Sequence, residues 1–547
     1  MSEPRFNLID ESWIKCISMQ GEECKTSIKE LLETAHELKS LTGETELQNT
    51  AVLRFLIALN VTLLYRYDEN GNEAMISDRR EALRRFEAVW EAGEFPEKAF
   101  TKYLSKWHDR FYLSGGERPF YQVPENRRRE ITGDKKSPNG KTWSVEPYKD
   151  SDKLGWVSAA AMNGEVLESA NSPSPFTNRM GKDKNSMELD EAARWLLYYM
   201  SFVDCSAKIP GKWNAGKTAA SGGANIYPSG ENLFQTIMLC SALLNQNKGV
   251  YTDVCPAWEN ESYTEINASP YGDDGFPTNL PELYTQQSRK IVLHMEDGRV
   301  NGAFVAAGDR YGTVNLLVEP MFAFHEDKKD KSGQTLLPNH IYGGSAWKEF
   351  RNIFAVSKSN PARWINVLFD REILSDDINI PYFITDIEYG AMSCGVKRVL
   401  TSGVTINRRF FVDSEETQCA AREIERINQI ARALETLGKQ IDMSQGKDER
   451  SGALLASALK DKYENLIGNN FCLYLSAKID RCTLQNEEFR LAYQTANDVL
   501  DALNITAIGG HGENTVGKAE NMFFAMMKKL EISTYGMKRD MMKRTDE

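Results

Sequence analysis

The chain has 547 residues, 41% of them apolar and 26% charged, and carries a formal net charge of −12. That length exceeds what a single hydrophobic core supports, so two or more domains are expected, and the composition excludes a fibrous or disordered chain. The acidic balance excludes a coat protein that binds nucleic acid by bulk electrostatics, while leaving local contacts open.

The opening MSEPRFNLIDE lacks the basic start and apolar core of a signal peptide, which predicts a cytoplasmic protein. SIKELLETAHELKSL (27–41) and ELQNTAVLRFLIALNVTLLYRY (46–67) read as amphipathic or buried helices. Arg54 and Asn60 interrupt the second, so no membrane segment is expected. Residues 124–186 and 204–232 are rich in Gly, Pro, Ser and Asn and read as long loops, which inside a domain are usually functional or disordered. Basic residues collect in such loops: Arg127, Arg128 and Arg129 with Lys135 and Lys136; Lys182 and Lys184; Lys208, Lys212 and Lys217; Lys328, Lys329 and Lys331. Between the two long loops, Leu189, Ala192, Ala193, Leu196, Leu197 and Met200 recur at helical spacing, with Asn185 and Glu188 as a candidate capping box.

GKWNAGKT, Gly211 to Thr218, fits the phosphate-binding pattern G-x-x-x-x-G-K-[ST]. A P-loop must leave a strand and open a helix whose first amides hold the phosphates. Here a helix precedes it, and Gly222, Gly223, Pro228 and Gly230 follow, so an ATPase using Lys217 and Thr218 is kept only as an alternative. RKIVLHMEDGRVNGAFVAAG (289–308) reads as two strands about an Asp297-Gly298 turn.

After about residue 405 the texture becomes helical. Ile424, Ile427, Ala431, Leu434, Leu437 and Ile441 form one apolar stripe, and helical stretches follow near 449–479, 487–503 and 516–530. Four successive helices without a strand predict a four-helix bundle, with NMFFAMMKKL in its core. The fold class expected is α+β: a large N-terminal mixed α/β domain (1–404) and a C-terminal four-helix bundle (405–547). The nine cysteines contain no C-x-x-C pair and read as reduced, mostly buried thiols; the six histidines show no ligand spacing. No metal, cofactor or catalytic constellation is predicted, which favours a binding protein over an enzyme.

Several stretches, in order, resemble a known family: FNLIDESWIKC, SIKELLETAHEL, QNTAVLRFLIAL, RFYLSGGERPFYQV, LDEAARWLLYYMSF, the hairpin ending AAGDRYG, EPMFAFHED and IEYGAMSCGVKRV before a helical region. Together they are similar to the CasA large subunit of type I-E CRISPR Cascade, over nearly the whole chain. The resemblance implies an N-terminal α/β domain of unusual topology, the bundle, and a place in a ribonucleoprotein with the other Cascade subunits and crRNA. It also implies that the protein checks a protospacer-adjacent motif (PAM) in double-stranded DNA, promotes duplex opening and R-loop formation, and helps recruit a helicase-nuclease. A purely structural scaffold is the remaining alternative.

By the same resemblance, a loop at the PAM minor groove falls on Gly211, Lys212, Asn214, Ala215, Gly216 and Lys217. Glycine lets backbone come close to base edges, and the lysines suit phosphates. A basic PAM-side residue falls on Arg310, and a lysine pair holding duplex DNA on Lys328 and Lys329. A strand-separating wedge falls on Ala391, Met392, Ser393 and Cys394, where many relatives have glutamine; an unbranched methionine can still enter a base stack. A loop contacting the crRNA-bearing assembly falls on Phe176, Thr177, Asn178, Arg179, Lys182 and Lys184. Some relatives carry a cysteine cluster suited to zinc where this chain keeps only Cys255, so no metal is implied.

Overall fold

The computed structural model describes residues 4–124, 156–166, 179–203, 218, 220–260, 277–309, 313–341, 344–355, 361–375, 377–390, 395–447, 453–503 and 515–545. The chain divides into two compact units. The first comprises Met1–Gly344, Ser357–Leu374 and Pro381–Ser402; the second comprises Ser345–Val356, Ser375–Ile380 and Gly403–Glu547. A single cut at 404/405 misses the two short segments that group with the second unit.

The first unit mixes helices with small antiparallel sheets. Ile14–Ser18 lies between Glu23–Thr26 and Leu38–Leu41; Arg299–Ala307 lies between Trp156–Ser158 and Arg289–Glu296; Asn379–Tyr389 lies between Val396–Asn407 and Asn225–Pro228. The segment expected to be one helix over 27–41 is split. Ser27 and Glu30 form a reciprocal capping box on Ile28–Thr34, the helix stops there, and Leu38–Leu41 pairs as a strand with Cys16, Ile17 and Ser18. The hairpin of 289–308 forms as expected, with Asp297 and Gly298 at φ 53° and 78°, the left-handed pair that a tight two-residue turn requires.

At the centre of this unit stands the helix Glu46–Arg66, capped by Thr45. By length and composition it could cross a membrane, yet all of its apolar stretch is buried inside the fold. Its two polar interruptions explain why. Arg54 ion-pairs with Glu319 at 2.6 Å, donates to Asn225 at 3.1 Å and lies 3.9 Å over the Tyr284 ring, while Asn60 donates to Ser241 at 2.9 Å. A guanidinium at this depth is tolerated only with such partners.

The helix over the 187–203 stretch runs Leu189–Phe202, but the expected capping box does not form. Asn185 ends a short preceding helix, Lys182–Asn185, and the Glu188 carboxylate is drawn to Arg299.

In the second unit the four helices are Ser414–Ser444, Ala453–Leu475, Arg481–Ala502 and Val516–Thr545. Asp413 caps the first and Asp480 the third, which therefore starts earlier than 487. The stripe from Ile424 to Ile441 is fully buried, as are Phe523 and Met527, whereas Met522 and Phe524 of the same apolar run are more than a third exposed. Trp347, from the segment Ser345–Val356, packs on Phe471 at 5.5 Å and sits so close to Gly468 that a Cβ there would meet its indole nitrogen at 2.6 Å.

Candidate nucleic-acid interface

Gly211, Lys212, Asn214, Ala215, Gly216 and Lys217, Arg310, the tip Ala391, Met392, Ser393 and Cys394, and Phe176, Thr177 and Asn178 lie outside the described residues. The described residues that flank 204–217, 310–312 and 391–394 converge.

The helix Leu189–Phe202 delivers the chain into the 204–217 segment. Its last turn is held from several sides: Ser288 Oγ donates to the Met200 carbonyl at 2.6 Å, the Tyr389 hydroxyl donates to the Phe202 carbonyl, and Arg289 Nη2 donates to the Val203 carbonyl at 3.0 Å. Tyr389 ends the strand that leads to residues 391–394, and Gly390 N closes that tip by donating to the Gly395 carbonyl at 2.9 Å. Arg289, preceded by Ser288, begins the strand whose partner leads to residue 310: Gly308 N donates to the Ser288 carbonyl at 3.2 Å, and Asp309 N to the Gln287 carbonyl at 2.8 Å.

The far side of the 204–217 segment is fixed as firmly. Thr218 is buried and its hydroxyl meets Ser221 Oγ at 2.8 Å, opening a 3-10 turn over Ala220–Gly222 that passes into the strand Asn225–Pro228. Asn225 ties this turn to the core, donating to the Ala220 carbonyl at 2.8 Å while accepting from Arg54. Gly222 lies against Thr313, the first described residue after Arg310, and a Cβ there would come within 2.3 Å of the threonine methyl. Ala224 N donates to the Asn339 carbonyl at 2.9 Å, which joins the turn to the hairpin Phe324–Glu326 and Leu336–Pro338.

Lys328 and Lys329 are exposed in the turn of that hairpin. Asp327 and Asp330 build the turn, with Lys329 N donating to Asp327 and the amides of Ser332 and Thr335 donating to Asp330, each at 2.9 Å. Hydrogen bonds from Ser332 and Thr335 hold the Asp330 carboxyl well below the ordinary range.

Asp309, the acidic residue just before Arg310, faces inward. It is 3% exposed and its carboxylate lies 3.2 Å from Lys290 Nζ, so it adds no open negative charge to the surface. Burial raises its carboxyl pKa, with Lys290 opposing.

Three members of the crRNA-side loop are described. The Arg179 guanidinium pairs with Glu165 and Glu191, each at 2.5 Å, which ties it to the first turn of Leu189–Phe202. Lys182 is exposed and Lys184 half-buried on the short helix Lys182–Asn185.

The P-loop alternative loses its scaffold. The described residues before 204 are helical, and those after 217 form a 3-10 turn and a strand, so no helix N-terminus follows Thr218 to hold a phosphate. Among the described residues no group of three or more His, Cys, Asp or Glu is placed to hold a metal ion. Of the described cysteines, Cys16, Cys240 and Cys419 are buried, Cys24, Cys255 and Cys472 are half-buried, and Cys482 is exposed, so the thiols are less buried than expected.

Sequence reasoning missed the anchors Asn225, Arg289 and Tyr389. Arg289 and Arg54 did carry a signal: an arginine inside an apolar run demands a buried partner. Nothing local to Asn225 or Tyr389 marks them.

A profile of the family described as CRISPR-associated protein Cse1 matches residues 7–504. The CRISPR-associated protein CasA/Cse1 of Thermus thermophilus is 27% identical over 362 residues, and that alignment spans 63% of this chain but only 59% of the relative's length. The solved structure of Thermobifida fusca Cse1 superposes with a TM-score of 0.75 at 20% identity, covering 96% of this chain and 98% of the other. A chain of a CRISPR RNA-guided surveillance complex superposes with a TM-score of 0.66 at 14% identity, covering 96% and 99%. At these identities the superpositions establish the shared fold.

Proposed function

This chain belongs to the CRISPR-associated Cse1 family, and from that premise we propose that it is the large subunit of a Cascade-type, CRISPR RNA-guided surveillance complex that reads the PAM in double-stranded DNA. It docks on the other subunits and crRNA, inspects the PAM, starts duplex opening and helps recruit the helicase-nuclease. It acts by binding, not by catalysis. Base pairing with the guide reads the target sequence, so the protein inspects only a few base pairs beside it.

In this reading Gly211, Ala215 and Gly216 bring backbone to the minor-groove edges, Asn214 adds a small donor and acceptor, and Lys212 and Lys217 meet phosphates. Arg310 reads beside them, Met392 within Ala391–Cys394 enters the stack, and Lys328 and Lys329 hold the duplex backbone. Lys182 and Lys184, beyond Phe176, Thr177 and Asn178, face the crRNA-bearing assembly.

The observation that carries the reading is that the described residues flanking 204–217, 310–312 and 391–394 are joined to one another, through Tyr389 to Phe202, Arg289 to Val203, Gly308 to Ser288, and Gly222 against Thr313. A common anchorage is what a reader and a wedge working on adjacent base pairs require.

The test is Gly216→Phe in the assembled complex, with duplex targets carrying matched or scrambled PAMs. The expected outcome is loss of discrimination between them with assembly intact. Unchanged discrimination overturns the assignment of the loop.

A further inference from the structure

A cavity of about 140 Å³ opens on the first unit, between the strand Leu38–Leu41, the start of the central helix and the strands that carry Tyr227 and Phe383. Buried Leu53 and Leu233 with the Tyr227 ring form an apolar floor, Ser40, Asn49, Ser229 and Thr236 add neutral polar groups to the walls, and the exposed residues Glu46 and Phe383 stand toward solvent. Phe383 is 41% exposed, and its ring stacks on Tyr227 at 6.1 Å and 26°. The two rings are register partners on adjacent strands, which fixes the wall they form. Glu46 is exposed; its carboxylate takes one hydrogen bond, from Asn49 Nδ2 at 3.2 Å, and keeps further acceptor positions.

Size and charge narrow the occupant. Small-molecule sites commonly enclose about 300–1,000 Å³. A slot of about 140 Å³ takes one side chain, not a nucleotide. An apolar side chain closing the mouth would strip water from the Glu46 carboxylate and leave it without a counter-charge. A phosphate would be repelled by that same carboxylate. A guanidinium satisfies every wall: its plane stacks on an aromatic face, its forked donors suit a carboxylate, and its methylene stem covers the apolar floor. An ammonium matches the charge without the stacking plane or the fork. The net charge of −12 makes a basic partner the electrostatic complement of this chain.

We propose that the cavity bounded by Glu46, Leu53, Tyr227, Leu233 and Phe383 is a docking pocket for an arginine side chain of a partner polypeptide. The inference stands on the pocket alone and does not depend on how the DNA-side loops are assigned.

The test uses the full-length chain and N-acetyl-arginine methylamide as probe, read by saturation-transfer NMR. N-acetyl-leucine methylamide and cytidine monophosphate serve as comparators. The arginine amide should bind, at least fivefold more strongly than either comparator. Glu46→Gln and Phe383→Ala should each lower its signal at least threefold without lowering the melting temperature by more than a degree or two, since both side chains are exposed. Equal signals for the leucine amide, preferential binding of the nucleotide, or undiminished arginine binding in both variants would each overturn the pocket. In the reconstituted complex the same variants should weaken subunit association at least tenfold; unchanged association would overturn the partner assignment even if the amide binds.

Discussion

Two buried carboxylates, Glu44 in the first unit and Glu488 in the second, respond to burial in opposite ways. In the first, the Glu44 carboxylate is 8% exposed and has two cations, Arg194 at 2.7 Å and Lys15 at 2.8 Å. Burial opposes its ionisation, but hydrogen bonds and charge from Arg194 and Lys15 outweigh that and pull its carboxyl down to about 2. In the second, Glu423 and Glu488 are both fully buried and share Arg426, which lies 2.5 Å from Glu488; Arg481, at 2.6 Å, serves Glu423 from the solvent side. There burial wins, and the Glu488 carboxyl is pushed up to about 7 in spite of Arg426. A carboxylate near the surface with two cations of its own keeps its charge, whereas one fully buried beside a shared cation is pushed toward its neutral form.

The sharpest way to break the comparison is to remove the shared cation. Arg426→Met takes the ion-pair partner from buried Glu488 and leaves Glu423 with Arg481 alone, and should destabilise the bundle by about 3–5 kcal/mol. Urea denaturation, with hydrogen exchange localising the loss to 414–444, measures it. Arg194→Met, which leaves Lys15 on Glu44, should cost clearly less.

Next in size is the pH response. Glu488 in the folded bundle holds a proton that the unfolded chain releases near its ordinary value of 4.5, so bundle stability is highest at the acid end and falls as pH rises through the window up to about 7. The fall should be about 1–3 kcal/mol between pH 5 and 8, and Glu488→Gln should flatten it. Glu44 runs the other way. Its folded pKa lies below 4.5, so the stability it contributes is complete above that value and is lost as pH falls toward about 2. Hydrogen exchange followed separately in Glu46–Arg66 and Ser414–Ser444 should therefore slope in opposite directions across the two windows; parallel slopes would erase the contrast.

A smaller effect is expected at the loop anchor. Asn225→Ala removes a side chain that joins Arg54 to the Ala220 carbonyl. It should cost about 1–3 kcal/mol, the penalty of leaving a buried polar partner unsatisfied, and raise exchange at 220–224 before any change in the bundle. The smallest is Lys462→Ala. Its partner Asp498 is 2.6 Å away, but both side chains are 46% exposed, so the loss should be under about 1 kcal/mol and vanish in high salt.

Much of this fold was legible in the chain because period and punctuation carried it. The stripe Ile424 to Ile441, the Asp297-Gly298 turn and the central helix each declare themselves locally. What escaped detection was set by partners far away in sequence. Leu38–Leu41 looks helical by spacing and becomes a strand because Cys16, Ile17 and Ser18 offer it an edge. Arg179, placed by resemblance in a loop contacting the crRNA-bearing assembly, is paired with Glu165 and Glu191. The loop motif at 211–218 could be separated from a nucleotide site only through its flanks, and the anchors Tyr389 and Asn225 emerged only when strands distant in sequence were brought together.

The segment around Trp347 bears on how this protein can be taken apart. A fragment beginning at residue 405 would contain every bundle helix but not the indole that covers Gly468 and Phe471, nor Lys348, the counter-charge of Glu464. Such a fragment would present a bare apolar notch and a buried acid with no mate, and self-association is its natural way to hide both. Supplying 345–356 on a linker, or as a peptide in trans, should restore a soluble monomer.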